Sequence, residues 1–182
     1  MRISAIILAG GQGQRVGGAD KGLLPWQDRP RVNHVIERLS PQVDELVISA
    51  NRNLEAYASL ATKVIRDELA DFQGPLAGLD AAMAHCQYEL VLVVPCDCPT
   101  LPLDLAPRLA SPLLADEADL SYVFDGQYKQ PLFSVLRREL QGELKHYLEQ
   151  GGRSVRGWHE SLRTQPVDFS DQAEAFINLN DR

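Results

Sequence analysis

The sequence predicts an α/β fold: a mostly parallel sheet with helices on both faces. Three observations predict it. Short aliphatic or β-branched runs alternate with helical stripes along the chain, the order of βαβ units with right-handed crossovers. Two of the runs, Ile3–Leu8 (Ser4 apart) and 90–94, are apolar throughout, as strands covered on both faces are. The distinctive polar residues follow strand ends: 10–21 after the first, 49–52 after the second, Asp67 after the third and Asp97 after the fourth. In open parallel sheets, ligands bind in the crevice beyond those carboxyl ends.

The elements follow in order. Ile3–Leu8 runs into glycines and forms the first strand. Residues 32–39 carry Val32, Val35, Ile36 and Leu39 at helical spacing. Residues 46–48 form a second strand, 54–60 a short helix and 64–65 a third strand. A small, apolar helix over 76–83 is entered through Gly74-Pro75, with proline near a helix start. The strand at 90–94 is stopped by Pro95. Residues 103–114 read as a helix interrupted by Pro107 and Pro112, followed by strands at 120–124 and 132–135. An amphipathic helix spans 138–148, Gly151-Gly152 punctuates it, a further helix covers 153–162, and 167–169 is a late strand.

Residues 8–21, Leu8-Ala9-Gly10-Gly11-Gln12-Gly13-Gln14-Arg15-Val16-Gly17-Gly18-Ala19-Asp20-Lys21, hold five glycines. Consecutive backbone N–H groups in such a loop can cradle phosphate oxygens, and Arg15 and Lys21 supply the positive charge phosphates require. Two familiar loops do not fit. The P-loop needs glycine before lysine and serine or threonine after it, whereas Asp20 precedes Lys21 and Gly22 follows. The dinucleotide fingerprint G-x-G-x-x-G begins at Gly11, but its third glycine arrives one residue late, at Gly17. That spacing argues against a dinucleotide-dependent oxidoreductase.

Asp97 lies just past a buried strand, flanked by Pro95 and Pro99, which restrict the backbone around it. A carboxylate there either caps the following turn or suits Mg²⁺, which binds through one or two carboxylates plus substrate phosphates. Asp67 is either a turn residue or a contact to ribose, base or metal-bound water. Cys86, Cys96 and Cys98, with His34, His85, His146 and His159, lack zinc-site spacing.

The length of 182 residues fits one domain. Eighteen Lys and Arg against 25 Asp and Glu give a net charge of −7, which argues against a dedicated nucleic-acid binder. No apolar run approaches a membrane span. The N-terminal run reads as a strand entering the glycine loop rather than as a signal peptide. Three sparse cysteines are no disulfide framework, so the expected location is the cytoplasm, with no nucleic-acid or membrane partner.

Taken together, Leu8-Ala9-Gly10-Gly11, Arg15, Gly17-Gly18, Asp20-Lys21-Gly22, Ala50-Asn51-Arg52, Asp67, Gly74-Pro75-Leu76-Ala77-Gly78 and Pro95-Cys96-Asp97 resemble the molybdenum cofactor guanylyltransferases, within the wider nucleotidyltransferases. Val167-Asp168-Phe169 and Phe176-Ile177-Asn178-Leu179-Asn180 look like the family's closing segments. The resemblance implies a Rossmann-like, nucleotide-diphospho-sugar transferase-like fold in a single domain over 1–182. Its N-terminal half would bind nucleotide and its C-terminal half molybdopterin. It implies Mg²⁺-dependent transfer of GMP from GTP to the terminal phosphate of molybdopterin, with release of pyrophosphate. The product would go to a molybdoenzyme or its chaperone. By motif, Leu8, Ala9, Gly10 and Gly11 would contact the nucleotide, Lys21 its phosphates, Asp67 the nucleoside, and Asp97 the Mg²⁺. Arg15, Lys21 and Asp97 form the expected catalytic set. Gly10 implies GTP, since cytidylyl-transferring relatives look like Leu-Ala-Ala-Gly at this opening.

For the acceptor, Lys129, Gln130, Arg153 and Arg156 are candidates or ordinary surface charges. The alternatives are a cytidylyl- or sugar-phosphate nucleotidyltransferase, or a non-catalytic nucleotide-binding module.

Overall fold

A computed structural model of the protein describes residues 1–11, 17–61, 63–66 and 74–177. Chain order is β1 (Ile3–Leu8), β2 (Pro25–Trp26), β3 (Arg29–Pro30), α1 (Arg31–Leu39), β4 (Glu45–Ser49), α2 (Leu54–Ala58) and β5 (Lys63–Ile65). It continues with α3 (Pro75–Met83), β6 (Leu90–Pro95), α4 (Leu105–Leu114), β7 (Leu120–Phe124), β8 (Lys129–Arg137), α5 (Gln141–Glu149), α6 (Val155–His159) and β9 (Thr164–Asp168). Short 3-10 segments lie at Ser40–Gln42, Arg138–Leu140 and Ser170–Phe176.

Seven strands form one sheet in the order β5-β4-β1-β6-β8-β7-β9. The strands β1, β4, β5 and β6 run parallel, and their ends are in register: Leu8 stands beside Ser49 and Pro95, and Ser49 beside Ile65. Three further backbone bonds extend this edge, from the amides of Ala9, Ala50 and Cys96 to the carbonyls of Ser49, Ile65 and Leu8 at 2.7, 2.9 and 3.2 Å. From β1 the chain winds outward to β4 and β5, then crosses to β6 on the other side. That reversal opens a crevice at the carboxyl edge.

The core has two layers. Val32, Val35 and Leu39 of α1 and Leu105, Leu109 and Leu113 of α4 cover one face. Leu76, Leu79 and Met83 of α3, Leu144 and Leu148 of α5, and Trp158 of α6 cover the other. β1 turns Ile3, Ala5 and Ile7 to the first face and Ile6 to the second. This two-sided cover explains a run that is apolar but for Ser4, whose buried hydroxyl donates to Glu45. Among the described residues, no helix is long and apolar enough to cross a membrane.

Several elements differ from their expected form. β8 is antiparallel to both neighbours; toward β7 this follows from the loop between Phe124 and Lys129, which is too short for a crossover. The Asp125 carboxylate accepts the amides of Gln127 and Tyr128 at 2.9 and 2.7 Å and shapes that turn. β8 also runs longer than 132–135. The helix expected over 138–148 divides into the 3-10 turn Arg138–Leu140 and α5. The two-residue strands β2 and β3 form a hairpin with no counterpart in the sequence reading.

Candidate active site

The crevice is built from the segments that leave β1, β4 and β6. Leaving β1, the chain passes Gly10 and Gly11 and returns through Gly17 and Gly18 at φ +66° and +82°, conformations that favour glycine. Asp20 follows as a hub. Its carboxylate accepts the Gly22 amide at 3.2 Å, the Asn53 side-chain amide at 3.0 Å and the Tyr57 hydroxyl at 2.5 Å. Burial and that carboxylate push the Tyr57 phenol up, so it stays a donor.

Arg52, on the turn after β4, completes the brace. One guanidinium nitrogen donates to the Gly18 carbonyl at 2.6 Å, and another to the carbonyls of Gly11 and Ala19 at 3.1 Å each. Both flanks of the glycine loop are thus held by one planar fork.

The result is the placement of Lys21. Its Nζ lies 3.5 Å from Asp97 Oδ2, with the carboxylate only 6% exposed and the lysine side chain 29% exposed. A buried carboxylate needs such a partner, because an isolated buried charge is costly. Asp97 stands two residues past β6, close to the end of a central strand.

The structure therefore brings Lys21 and Asp97 together, at the sheet edge where Leu8 stands beside Pro95 and the chain leaves β1 through Ala9, Gly10 and Gly11. Ala9 commits its amide to Ser49. A Cβ at Gly10 would stand 3.2 Å from the Asn51 side-chain nitrogen. Arg15 and Asp67 lie outside the described residues, as do Asn178, Leu179 and Asn180. Ser49 is buried, and a Cβ at Gly78 would stand 2.5 Å from its Oγ. That contact explains the glycine in the opening turns of α3.

Cys96 and Cys98 are buried free thiols. Burial and the Asp97 charge push Cys98 up to about 12 and Cys96 upward too. Both are thus poor nucleophiles at neutral pH. Among the described residues, no three His, Cys, Asp or Glu side chains cluster as a metal cage. A lone strand-end carboxylate nevertheless fits Mg²⁺, which takes its remaining ligands from phosphates and water.

The sequence reading assigned no role to Asp20, Arg52, Asn53 or Tyr57. Asp20 and Arg52 stood within the quoted segments Asp20-Lys21-Gly22 and Ala50-Asn51-Arg52, without a role of their own.

Of the acceptor candidates, Gln130 donates to Asp125 at 2.7 Å. Arg153 donates to the carbonyls of Leu148 and Gly152 at 2.8 and 2.6 Å, closing the end of α5. Lys129 and Arg156 meet at one groove.

Comparison with known proteins follows the same line. The family model of the MobA-like NTP transferase domain matches residues 5–164. A Shewanella amazonensis protein named molybdenum cofactor guanylyltransferase is 47% identical over 180 residues, covering 99% of this chain and 92% of that protein. A Shewanella sediminis protein of the same name is 45% identical with the same coverage. The crystal structure of molybdopterin-guanine dinucleotide biosynthesis protein A from Archaeoglobus fulgidus has a TM-score of 0.79 at 22% identity, covering 99% of this chain and 92% of that one. The 4-diphosphocytidyl-2C-methyl-D-erythritol synthase structure from Anaerococcus prevotii scores 0.72 at 13% identity, covering 98% and 92%. At these identities the two structures establish the fold, that of the nucleotide-diphospho-sugar transferases. The family match spans most of the sequence, and the chain belongs to the MobA-like NTP transferase family.

Proposed function

We propose that the chain transfers GMP from GTP to the terminal phosphate of molybdopterin, giving molybdopterin guanine dinucleotide and pyrophosphate. The observation that carries this reading is the Lys21–Asp97 pair at 3.5 Å in the crevice. The names of the relatives supply the substrates. In this reading residues 1–182 are one domain acting in the cytoplasm, and a molybdoenzyme or its chaperone receives the product.

The attacking atom is a phosphate oxygen of the acceptor, already anionic at neutral pH. It forms a bond to the α-phosphorus of GTP while the bond from that phosphorus to the bridging oxygen breaks. The electron pair leaves with pyrophosphate, and no general base is required. Catalysis then rests on alignment and charge neutralisation. Lys21 and Arg15 offset the charge around the α-phosphate. Leu8, Ala9, Gly10 and Gly11 line the nucleotide through their backbone, with Ala9 offering its carbonyl, and Asp67 holds the nucleoside. Asp97 would hold Mg²⁺, which when bound supplies positive charge to the phosphate oxygens.

The test is pyrophosphate release with Mg²⁺ and either GTP or CTP, each with and without molybdopterin. Release with GTP that depends on the pterin is expected. Release with CTP instead would overturn the base assignment. No release with either would move the chain to a sugar-phosphate acceptor or to a non-catalytic nucleotide binder.

A further inference from the structure

The backbone around Lys21 is fixed on both sides. Before it, the carbonyls of Gly18 and Ala19 accept from Arg52. After it, the Gly22 and Leu24 carbonyls accept the amides of Val32 and Arg31 at 3.0 Å each, and the Leu23 amide donates to the Asp20 carbonyl at 3.1 Å. Gly22 lies so close to Tyr57 that an added Cβ would stand 2.5 Å from the hydroxyl oxygen. Movement of the main chain here would break this packing. The Lys21 side chain is under no such restraint, being 29% exposed on a long, flexible stem. Its ammonium is therefore a movable charge on a fixed frame.

Asp97 does not share that freedom. It stands between the buried thiols of Cys96 and Cys98, and its side chain is only 6% exposed, with Oδ2 3.5 Å from the Lys21 Nζ. A carboxylate this buried stays charged at low cost only beside a cation. Two cations have a claim on it: Lys21, and the Mg²⁺ that the same carboxylate fits. With so little of Asp97 open, a metal reaching it must contend with the ammonium, and like charges at such range repel strongly away from bulk water. Further positive charge acts on this corner. Burial and the Asp97 charge push the Cys98 thiol up, while Arg31 and Lys21 pull it down.

We propose that Lys21 and a divalent cation are alternative partners of Asp97, and that Lys21 keeps the metal off until a nucleoside triphosphate draws its ammonium away. Phosphate oxygens offer Lys21 a new set of anions, and its side chain turns to them while the backbone stays in place. Asp97 gives up one cation and takes the other, so the buried charge remains paired throughout. The consequence is an order of binding: nucleotide and metal enter together, and metal alone gains little at this carboxylate. The proposal rests on the nucleotide and metal reading above.

Its test does not depend on turnover. The full chain is titrated with Mn²⁺ in the absence of nucleotide, and free Mn²⁺ is followed by electron paramagnetic resonance. Lys21→Gln and Lys21→Met remove the ammonium, and each should bind Mn²⁺ at least about tenfold more tightly than the wild type. Adding Asp97→Asn to either variant should abolish the gain, which assigns it to that carboxylate. Thermal melts give a second readout that tolerates a weakened fold. Saturating Mn²⁺ should raise the melting temperature of Lys21→Gln more than that of the wild type, because the metal restores a cation to Asp97. Equal Mn²⁺ affinity of the wild type and the variants, equal shifts in melting, or a gain that survives Asp97→Asn would each overturn the exchange. Failure of the metal reading itself shows separately, as a wild-type affinity for GTP that calorimetry finds unchanged by Mn²⁺.

Discussion

Arg52 donates to the carbonyl of Gly18 at 2.6 Å, and the same guanidinium reaches Gly11 and Ala19. One side chain thus clasps the glycine loop at its beginning and at its end. A lysine cannot reproduce this, because its ammonium is a single point rather than a planar fork. Arg52→Lys is expected to raise KM for GTP about tenfold, the effect of one or two lost bonds, with a smaller fall in kcat. Steady-state pyrophosphate release checks this beside a thermal melt. A lower melting temperature with unchanged KM would make the clasp a stability feature only.

Lys21 and Asp97 form a coupled pair, and a double-mutant cycle measures the coupling. Asp97→Asn keeps the shape and removes the charge. It should lower turnover at least about a hundredfold, as loss of a group that stabilises transition-state charge does, while the protein still folds. Lys21→Ala should chiefly weaken nucleotide affinity or rate. It should also destabilise the fold more than Asp97→Asn does, because it strips the buried carboxylate of its cation. The combined variant should be less destabilised than the sum of the two by about 1 kcal/mol or more. Denaturant melts of the four proteins give the cycle, and strict additivity would show that the pair is uncoupled.

A Cβ at Gly22 would meet the Tyr57 oxygen at 2.5 Å and the Cys96 Cβ and Sγ at 3.2 Å each. The segment after Lys21 can therefore lie this close to α2 and β6 only as glycine. Gly22→Ala should cost about 1–3 kcal/mol, the usual size of overpacking. Tyr57→Phe removes the oxygen that clashes, so added to Gly22→Ala it should recover part of that loss. It also forfeits the bond to Asp20, so alone it should destabilise. Urea unfolding of the three variants and the wild type tests both signs.

The parts that could be read from residue order are those determined by local pattern. The apolar run Ile3–Leu8, the stripe of α1 and the Gly74-Pro75 entry to α3 each record burial or capping in the chain itself. The edge where β1, β4, β5 and β6 end was legible because polar residues stop each run. The β2–β3 hairpin was not, since two residues per strand leave no period, and its turn places Gln27 at φ +54° without a glycine. The clasp was hidden for a different reason. Arg52 binds backbone carbonyls, and carbonyls carry no residue identity. The register shift between β7 and β8 at Tyr122 and Val123 was equally silent, because pairing register is a property of two strands.

Gly10 carries a specificity prediction. A Cβ there would stand 3.2 Å from the Asn51 Nδ2, so alanine must displace the Asn51 amide at the proposed nucleotide site. Gly10→Ala should lower kcat/KM for GTP and raise the ratio for CTP relative to GTP. Competition between the two nucleotides in pyrophosphate release measures this ratio. An unchanged ratio would remove Gly10 from base selection.

Stability should depend on pH through His159. Its ordinary pKa of 6.5 falls to about 4 in the fold, because burial disfavours the charged ring. As pH drops below 6.5, the unfolded chain takes up a proton that the folded protein refuses until about pH 4. Stability therefore rises with pH across this window and is complete above it. The full gap corresponds to about 3 kcal/mol at most. Carboxylates whose pKa is lowered, such as Glu45 with its bonds from Ser4, Gln87 and Lys63, act below their ordinary value of 4.5. Between about pH 4.5 and 6.5 the slope should thus owe much to His159. His159→Gln should flatten that part of the curve, whatever its effect at pH 8. Urea unfolding of both proteins across this range decides it, and parallel curves would show that the buried imidazole does not set the acid limb.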